Sequence, residues 1–147
     1  MIGSGAKHEE RAEEVGRLLA EAGATLVCGG RDEVMAAAAR GAKSAGGTTI
    51  GILPGETAAE GNEWIDHVVV TGIGHARNLA VVASGSAVIA VGGAWGTLSE
   101  IAYARLLGRP VVVLEPGWGV EGEGVVRATT PEEAVELALR LADEHPA

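Results

Sequence analysis

The chain has 147 residues, of which 47% are hydrophobic and 21% are charged, a composition typical of one soluble globular domain. Its formal net charge of -9 argues against the basic surface that nucleic acid or an anionic membrane requires, so we expect neither as a partner. No signal peptide and no apolar run long enough to span a bilayer is visible, so a cytoplasmic protein is expected. The four histidines lack metal-ligand spacing, and no metal site is predicted.

Helix and strand patterns alternate from the N-terminus onward. The opening MIGSG leaves only two or three residues for a first strand, which is either very short or trimmed at its start. A first helix is predicted over about residues 9–22, because apolar side chains recur there at i, i+3, i+4 and i+7 and Gly23 follows. The later strands are predicted at 24–28, 48–53, 66–70, 87–91 and 110–114, and the later helices at 33–45, 75–83, 98–107 and from 129 onward.

These strands are short runs of Val, Ile and Leu without alternation, which is typical of a parallel sheet covered on both faces. We therefore predict an α/β fold: a single Rossmann-like three-layer domain over 1–147, with a mostly parallel, doubly wound sheet and helices on both faces. Ligands bind such sheets beyond the carboxyl ends of the strands, where the strand order reverses. Four glycine-rich turns fall in those places, namely GSGAKH (3–8), GGRDEV (29–34), GIGHAR (72–77) and GGAWGT (92–97).

The first two turns partly match a dinucleotide-binding fingerprint. Gly3-Ser4-Gly5 follows a strand and opens a helix, but His8 stands where the third glycine belongs. The second strand ends in Cys28-Gly29-Gly30, without the acidic residue that would bind a ribose. A standard NAD site is therefore disfavoured, and these turns are predicted either as simple tight turns or as parts of a nucleotide or phosphate pocket.

The fourth turn, GGAWGTLSE (92–100), has two interpretations. One is a capping box, in which Thr97 is the N-cap of a helix and Glu100 lies three residues later. The same Thr-x-x-Glu spacing occurs between Thr130 and Glu133, where no glycine lies close by. The other interpretation is an anion site, because glycine-rich backbone at a helix N-terminus exposes N–H groups in a field that favours negative charge. The glycines concerned are Gly92, Gly93 and Gly96.

The third turn offers a partner for that anion site. Arg77 is a candidate bidentate phosphate donor at the start of a helix, and its alternative is a solvated surface charge. His75 is a helix-start donor, an acid or a structural residue, and Gly74 and Asn78 flank His75 and Arg77. We favour the anion site, in which Glu100 faces a sugar that develops positive charge rather than the phosphate itself.

These residues resemble the LOG, or lysine decarboxylase-like, family of Rossmann-like proteins. The family motif is Pro-Gly-Gly-x-Gly-Thr-x-x-Glu, preceded by an Arg-Lys pair on the previous helix. The residues that match are Gly93, Gly96, Thr97, Glu100 and Arg77. Gly92 replaces the proline and Asn78 replaces the lysine. The segments GHARN, AVIAVGG and GTLSEIA most resemble a bacterial branch of the family that is similar to the molybdenum cofactor carrier protein.

The resemblance implies a nucleotide- or phosphate-ligand-binding protein. In the LOG branch this would be a phosphoribohydrolase that splits nucleoside 5′-monophosphates into free base and ribose 5-phosphate. Glu100 would then act on the ribosyl centre, Arg77 would assist the substrate, and Gly93, Gly96 and Thr97 would hold the phosphate. The alternatives are a carrier that binds molybdenum cofactor, a nucleotide or a related phosphorylated ligand without turnover, and a structural or interaction protein whose site has decayed.

The resemblance also implies a homodimer or homotetramer and no required cofactor beyond the bound ligand. Lysine decarboxylation is not expected, because no pyridoxal-binding lysine signature is visible. Asp32 and Glu33 stand where relatives have more glycine, so two carboxylates are expected to narrow an anion site at that turn or to exclude it. Trp95 would either stack on a base or pterin or pack at the pocket rim or a subunit contact.

Overall fold

The computed structural model describes residues 1–31 and 33–145. Strands and helices alternate through these residues, as the hydrophobic pattern predicts. The strands are β1 (Ile2–Ser4), β2 (Leu26–Cys28), β3 (Thr49–Leu53), β4 (His67–Val70), β5 (Val88–Gly92), β6 (Val111–Gly117) and β7 (Val125–Ala128). The α-helices are α1 (Glu9–Glu21), α2 (Val34–Ser44), α3 (Arg77–Ser84), α4 (Trp95–Leu106) and α5 (Pro131–Glu144). Short 3-10 turns occupy Ala6–His8, Ala58–Glu60 and Gly74–Ala76.

The strands pair in parallel and form two groups that adjoin edge to edge. One group has the order β1-β5-β6-β7 and the other has the order β2-β3-β4. The amino nitrogen of Met1, just before β1, donates a hydrogen bond of 2.7 Å to the carbonyl oxygen of Val27 in β2. The combined order is therefore β4-β3-β2-β1-β5-β6-β7, and it reverses between β1 and β5. This arrangement confirms the α/β prediction of a mostly parallel, doubly wound sheet.

Helices cover both faces of the sheet, and each face has its own aliphatic core. Alternate residues of β5 and β6 point to opposite sides. Ile89, Val91, Val112 and Leu114 pack in the core with α1, α2 and α5. Val88, Ala90, Val111 and Val113 pack in the core with α3 and α4. Because the chain contains no phenylalanine, aliphatic side chains fill both cores.

Helices α1 and α2 pack backbone against backbone. A Cβ atom built on Gly16 would lie 1.9 Å from the carbonyl oxygen of Ala38, and one on Gly41 would lie 1.9 Å from that of Glu13. Ala37, Ala38, Ala39 and Ala42 are fully or almost fully buried. The alanine-rich surface of α2 is thus covered within the same chain.

Two details differ from the sequence-based prediction. Strand β7 has no counterpart in that prediction, because it is a four-residue strand at the sheet edge that follows a glycine-rich loop. Helix α4 begins at Trp95 rather than at Leu98, since Gly96 adopts helical geometry inside its first turn. None of the helices in the part of the chain that the structure describes combines the length and apolar character that a bilayer crossing requires.

Candidate functional site

A crevice of about 490 Å³ opens at the point where the strand order reverses. Ser4, the last residue of β1, pairs with Gly92, the last residue of β5, so the turns that follow these strands meet at one edge of the sheet. The crevice is lined by the turn after β1 (Ser4, Gly5, Lys7 and His8), the turn after β5 (Gly92, Gly93 and Ala94) and the end of β6 with its following loop (Pro116 to Gly119). This is where ligands bind in doubly wound sheets.

The glycines after β5 allow the two turns to touch. Gly92 has φ +61° and Gly93 has φ +133°, conformations that L side chains rarely adopt. A Cβ atom on Gly92 would lie 2.2 Å from Cδ2 of His8 and 2.7 Å from the carbonyl oxygen of Ser4. Backbone, rather than side chains, therefore forms the crevice floor at this point, as expected for a site where a ligand approaches the main chain closely.

Aromatic and basic side chains border the crevice. The rings of Trp95 and Trp118 are tilted by 46° with centroids 5.3 Å apart, and Trp118 Nε1 donates to the carbonyl oxygen of Ala94 at 3.2 Å. Trp95 is 77% exposed. Burial lowers the pKa of His8, assisted by the nearby charge of Lys7, so its neutral imidazole is favoured. The exposed Lys7 is then the cationic side chain among the described residues that line the crevice.

A second group of predicted residues is buried at the start of α3 and in α4. Its members are Arg77, Asn78, Thr97 and Glu100, each no more than 9% exposed. Nη1 of Arg77 donates to the carbonyl oxygens of Gly29 and Ile52, both at 2.7 Å, while its Nε has no hydrogen-bond partner among the described residues. Arg77 is therefore not a solvated surface charge; it ties the start of α3 to the ends of β2 and β3.

Glu100 and Arg77 form an electrostatically coupled pair. Burial raises the pKa of Glu100 to about 7, although the guanidinium of Arg77 acts in the opposite direction. Burial also lowers the pKa of Arg77, and the carboxylate of Glu100 opposes that change. Because a buried carboxylate is unstable without compensation, Glu100 changes charge close to neutral pH.

The capping-box interpretation of GGAWGTLSE is wrong. The N-cap of α4 is Ala94, no side chain caps this helix, and Thr97 is its third residue. Glu100 therefore lies in the second turn, too far along to reach the N-cap amide. At α5 the same spacing does form a cap, because Thr130 Oγ1 accepts a 3.2 Å hydrogen bond from the amide of Glu133.

The remaining predicted residues lie around these two groups without lining the crevice. Gly3 is inside β1, and Gly29-Gly30 follows β2. Gly74 and His75 lie in the exposed 3-10 turn before α3. Gly96 is exposed in the first turn of α4. The structure thus brings Ser4, Gly5, Gly92 and Gly93 together in the crevice lining, while Arg77 and Glu100 lie outside that lining and Thr97 packs against Gly93.

Sequence reasoning missed three contributors to the crevice, namely Lys7, His8 and the loop from Pro116 to Gly119. In the sequence, His8 is noticeable only because it replaces the third glycine of the dinucleotide-binding fingerprint, and that replacement does not indicate a position in the crevice. The loop carried a usable signal, since EPGWG directly follows the predicted strand at 110–114, and the carboxyl ends of parallel strands lie at one edge.

The turn after β2 also reaches the crevice. Oε2 of Glu33 accepts a 2.8 Å hydrogen bond from the backbone amide of Gly5. Glu33 has φ 53° and ψ -123°, a backbone conformation suited to glycine. Asp32, the other carboxylate predicted to face a ligand at this turn, lies outside the described residues.

Comparison with known proteins gives a consistent result over almost the whole chain. The model of the SLOG cluster4 family matches residues 1–143. An uncharacterized protein of Archaeoglobus fulgidus is 44% identical over 142 residues, which are 95% of this chain and 92% of that protein. The family assignment therefore covers the crevice and the Arg77–Glu100 group alike.

Two similar solved structures are of proteins named for the ligand that they bind or carry. The molybdenum cofactor binding protein from the phototrophic bacterium Rippkaea orientalis is 35% identical, with a TM-score of 0.86 over 95% of this chain and 93% of that chain. The molybdenum cofactor carrier protein from Chlamydomonas reinhardtii is 32% identical, with a TM-score of 0.84 over 97% of each chain. Both similarities support the resemblance to molybdenum cofactor carriers that the sequence motifs indicate.

Proposed function

Because the chain belongs to the SLOG cluster4 family, we propose that it is a binding or carrier protein for molybdenum cofactor or a related phosphorylated pterin. The observation that carries this proposal is the switch-point crevice, which joins exposed backbone, one cationic side chain and an aromatic rim. Its volume of about 490 Å³ lies in the range of small-molecule sites. The cofactor would be cargo, held and released unchanged.

Each part of the crevice suits one part of such a ligand. The Gly92-Gly93 turn and the ammonium of Lys7 would hold the phosphate, because backbone N–H groups and a cation both favour an anion. The ring of Trp118 would stack on the flat pterin. The neutral imidazole of His8 would hydrogen-bond a polar edge of the ligand.

The position of the charged groups favours binding over turnover. The described residues that line the crevice include no carboxylate, and the carboxylate of Glu33, which reaches the lining from the turn after β2, already accepts a hydrogen bond from the amide of Gly5. Glu100 is 8% exposed, and two carbonyl oxygens already occupy Nη1 of Arg77. These features support a carrier more than a hydrolase.

We expect Lys7→Gln to weaken binding of molybdenum cofactor about tenfold, because it removes one charge-assisted hydrogen bond to the phosphate. Trp118→Leu should weaken it similarly by removing the stacking surface. Cofactor released from a molybdoenzyme is the probe, and its affinity is measured by titration calorimetry under anaerobic conditions. Arg140→Gln, which makes the same charge change at an exposed position on α5, is the control. Unchanged affinity in both crevice variants would refute this site.

A second candidate function is phosphoribohydrolysis, and the specific observation in its favour is Glu100. A carboxyl group with a pKa of about 7 beside a guanidinium is suited to proton transfer or to stabilising a developing oxocarbenium ion. If the chain is a hydrolase, Glu100→Gln should retain nucleotide binding and lose base release by more than about a hundredfold. Chromatography of incubations with AMP or GMP measures this. Absence of released base from the wild-type chain would rule out this hydrolase activity on AMP and GMP.

We also propose that the chain self-associates as a homodimer or homotetramer. Several large apolar side chains on β4, α3 and α4 are exposed, and Leu106 is 81% exposed. The others among the described residues are Val68, Val69 and Val70 on β4, Ile73 after β4, Leu79 on α3, Trp95 and Tyr103 on α4, and Leu107 directly after α4. A surface of this kind is typical of a contact with another protein, and the edge strand β4 adds unpaired backbone groups to it.

A further inference from the structure

Gly5 lines the crevice, and its backbone amide already binds a carboxylate of the same chain. Oε2 of Glu33 accepts its hydrogen bond at 2.8 Å, although the two residues are 28 positions apart in the chain. The carboxylate of Glu33 comes from an exposed residue and is therefore free to leave for solvent. Backbone amides of a glycine turn are the groups that bind phosphate in nucleotide-binding proteins.

The hydrogen bond between Glu33 and Gly5 is made from a strained backbone conformation at Glu33. Among the described residues, Glu33 is the non-glycine residue with positive φ, at 53°. With ψ at -123°, this conformation is strained for any residue that has a Cβ atom. A glycine at this position would adopt the same turn without strain and would leave the amide of Gly5 open.

We propose that Glu33 is a built-in competitor for the phosphate of the ligand. Its carboxylate occupies the Gly5 amide in the free protein, and a phosphate monoester must displace it to reach the same donor. Two anions cannot share one N–H group, because like charges at that distance repel strongly. Glu33 thus sets how strongly the crevice holds the phosphate end of its ligand. The inference rests on the proposed function only in taking the crevice as the ligand site.

The test uses inorganic phosphate as the probe and the Gly5 amide as the reporter, followed by NMR of the ¹⁵N-labelled full chain. In Glu33→Gln and Glu33→Gly, the phosphate concentration that half-saturates the shift of the Gly5 signal should fall about tenfold, because the competing charge is gone. Glu33→Gly also relieves the positive-φ strain, so it should fold at least as well as wild type.

Glu133→Gln is the matched control. Its carboxylate Oε2 accepts a hydrogen bond of the same length, 2.8 Å, from the backbone amide of Thr129 at the start of α5, away from the crevice. This variant should respond to phosphate as wild type does. The inference is overturned if phosphate does not shift the Gly5 amide signal in any of the chains. It is also overturned if the half-saturating phosphate concentration is the same for wild type and for the Glu33 variants.

A parallel titration with molybdenum cofactor separates this inference from the proposed function. If no chain binds cofactor while the Gly5 signal shifts as expected with phosphate, the carrier function fails and the competition by Glu33 stands. If wild type binds cofactor while the phosphate response is equal in all chains, the carrier function stands and the competition fails.

Discussion

Gly16→Ala is expected to lower the free energy of unfolding by about 3 kcal/mol, because it inserts a methyl group between two helix backbones. The new Cβ atom would lie 1.9 Å from the carbonyl oxygen of Ala38, 2.8 Å from its carbonyl carbon and 3.0 Å from its Cα. All three are backbone atoms, so α2 must move as a whole to make room. The gain of about 1 kcal/mol in helix propensity for alanine offsets only part of this cost.

Gly96→Ala provides the matched control, since Gly96 is also helical and the nearest atom to its Cβ position is Nδ2 of Asn78 at 3.8 Å. That is an ordinary contact, and the helix propensity of alanine should leave the free energy of unfolding unchanged or raise it by up to about 1 kcal/mol. Urea denaturation of both variants measures the difference. A Gly16→Ala chain as stable as the Gly96→Ala chain would show that α1 and α2 are not in backbone contact.

Glu100→Gln is expected to remove a pH-dependent loss of stability that the wild-type chain undergoes as the pH rises from about 4.5 to 7. The folded state raises the pKa of Glu100 from 4.5 to about 7, so between these values it holds a proton that the unfolded chain has released. Below this pH window Glu100 is protonated in both the folded and the unfolded state. Above it Glu100 is ionised in both states, and the folded state then bears the full free-energy cost of a buried carboxylate. This difference in pKa between the unfolded and folded states corresponds to about 3 kcal/mol of lost stability. Glutamine does not titrate, so the variant should not show this loss.

His8 acts in the same pH range with the opposite sign. Its pKa is lowered on folding, so its contribution to stability grows as the pH rises through the unfolded value of 6.5. Both chains contain His8, and the wild-type-minus-variant difference in unfolding free energy, measured by urea denaturation at about pH 5 and about pH 8, cancels it. Glu136→Gln, at an exposed position on α5, is the control for loss of a carboxylate. Identical pH slopes in wild type and Glu100→Gln would contradict a buried, titrating Glu100.

The elements that could be predicted are those whose signal is local. Helix α1 follows from the recurrence of Val15 and Leu18 with their neighbours, and β5 and β6 follow from aliphatic runs closed by glycine or opened by proline. The position of the crevice also follows, because glycine-rich turns after parallel strands meet where the strand order reverses. Strand β7 carried no such signal, because four residues are too short to show a pattern. It is held as a strand by its pairing with β6.

The two Thr-x-x-Glu sequences show what spacing cannot decide. Thr130 caps its helix, whereas Thr97 is 4% exposed inside α4 and caps nothing. The difference is tertiary: a Cβ atom on Gly93 would lie 2.6 Å from Cβ of Thr97, so the glycine turn packs directly on the threonine. The burial of Arg77 is equally non-local, because its carbonyl acceptors come from the ends of two other strands.

The backbone contact between α1 and α2 also limits how the crevice can adapt. Gly5 is joined to α1 by the short 3-10 turn Ala6–His8, and Glu33 directly precedes α2, so the two ends of their hydrogen bond are attached to helices that pack backbone against backbone. The two turns cannot be driven apart without unpacking that pair. Displacement of Glu33 by a ligand would therefore require rotation of one exposed side chain and no movement of the two helices.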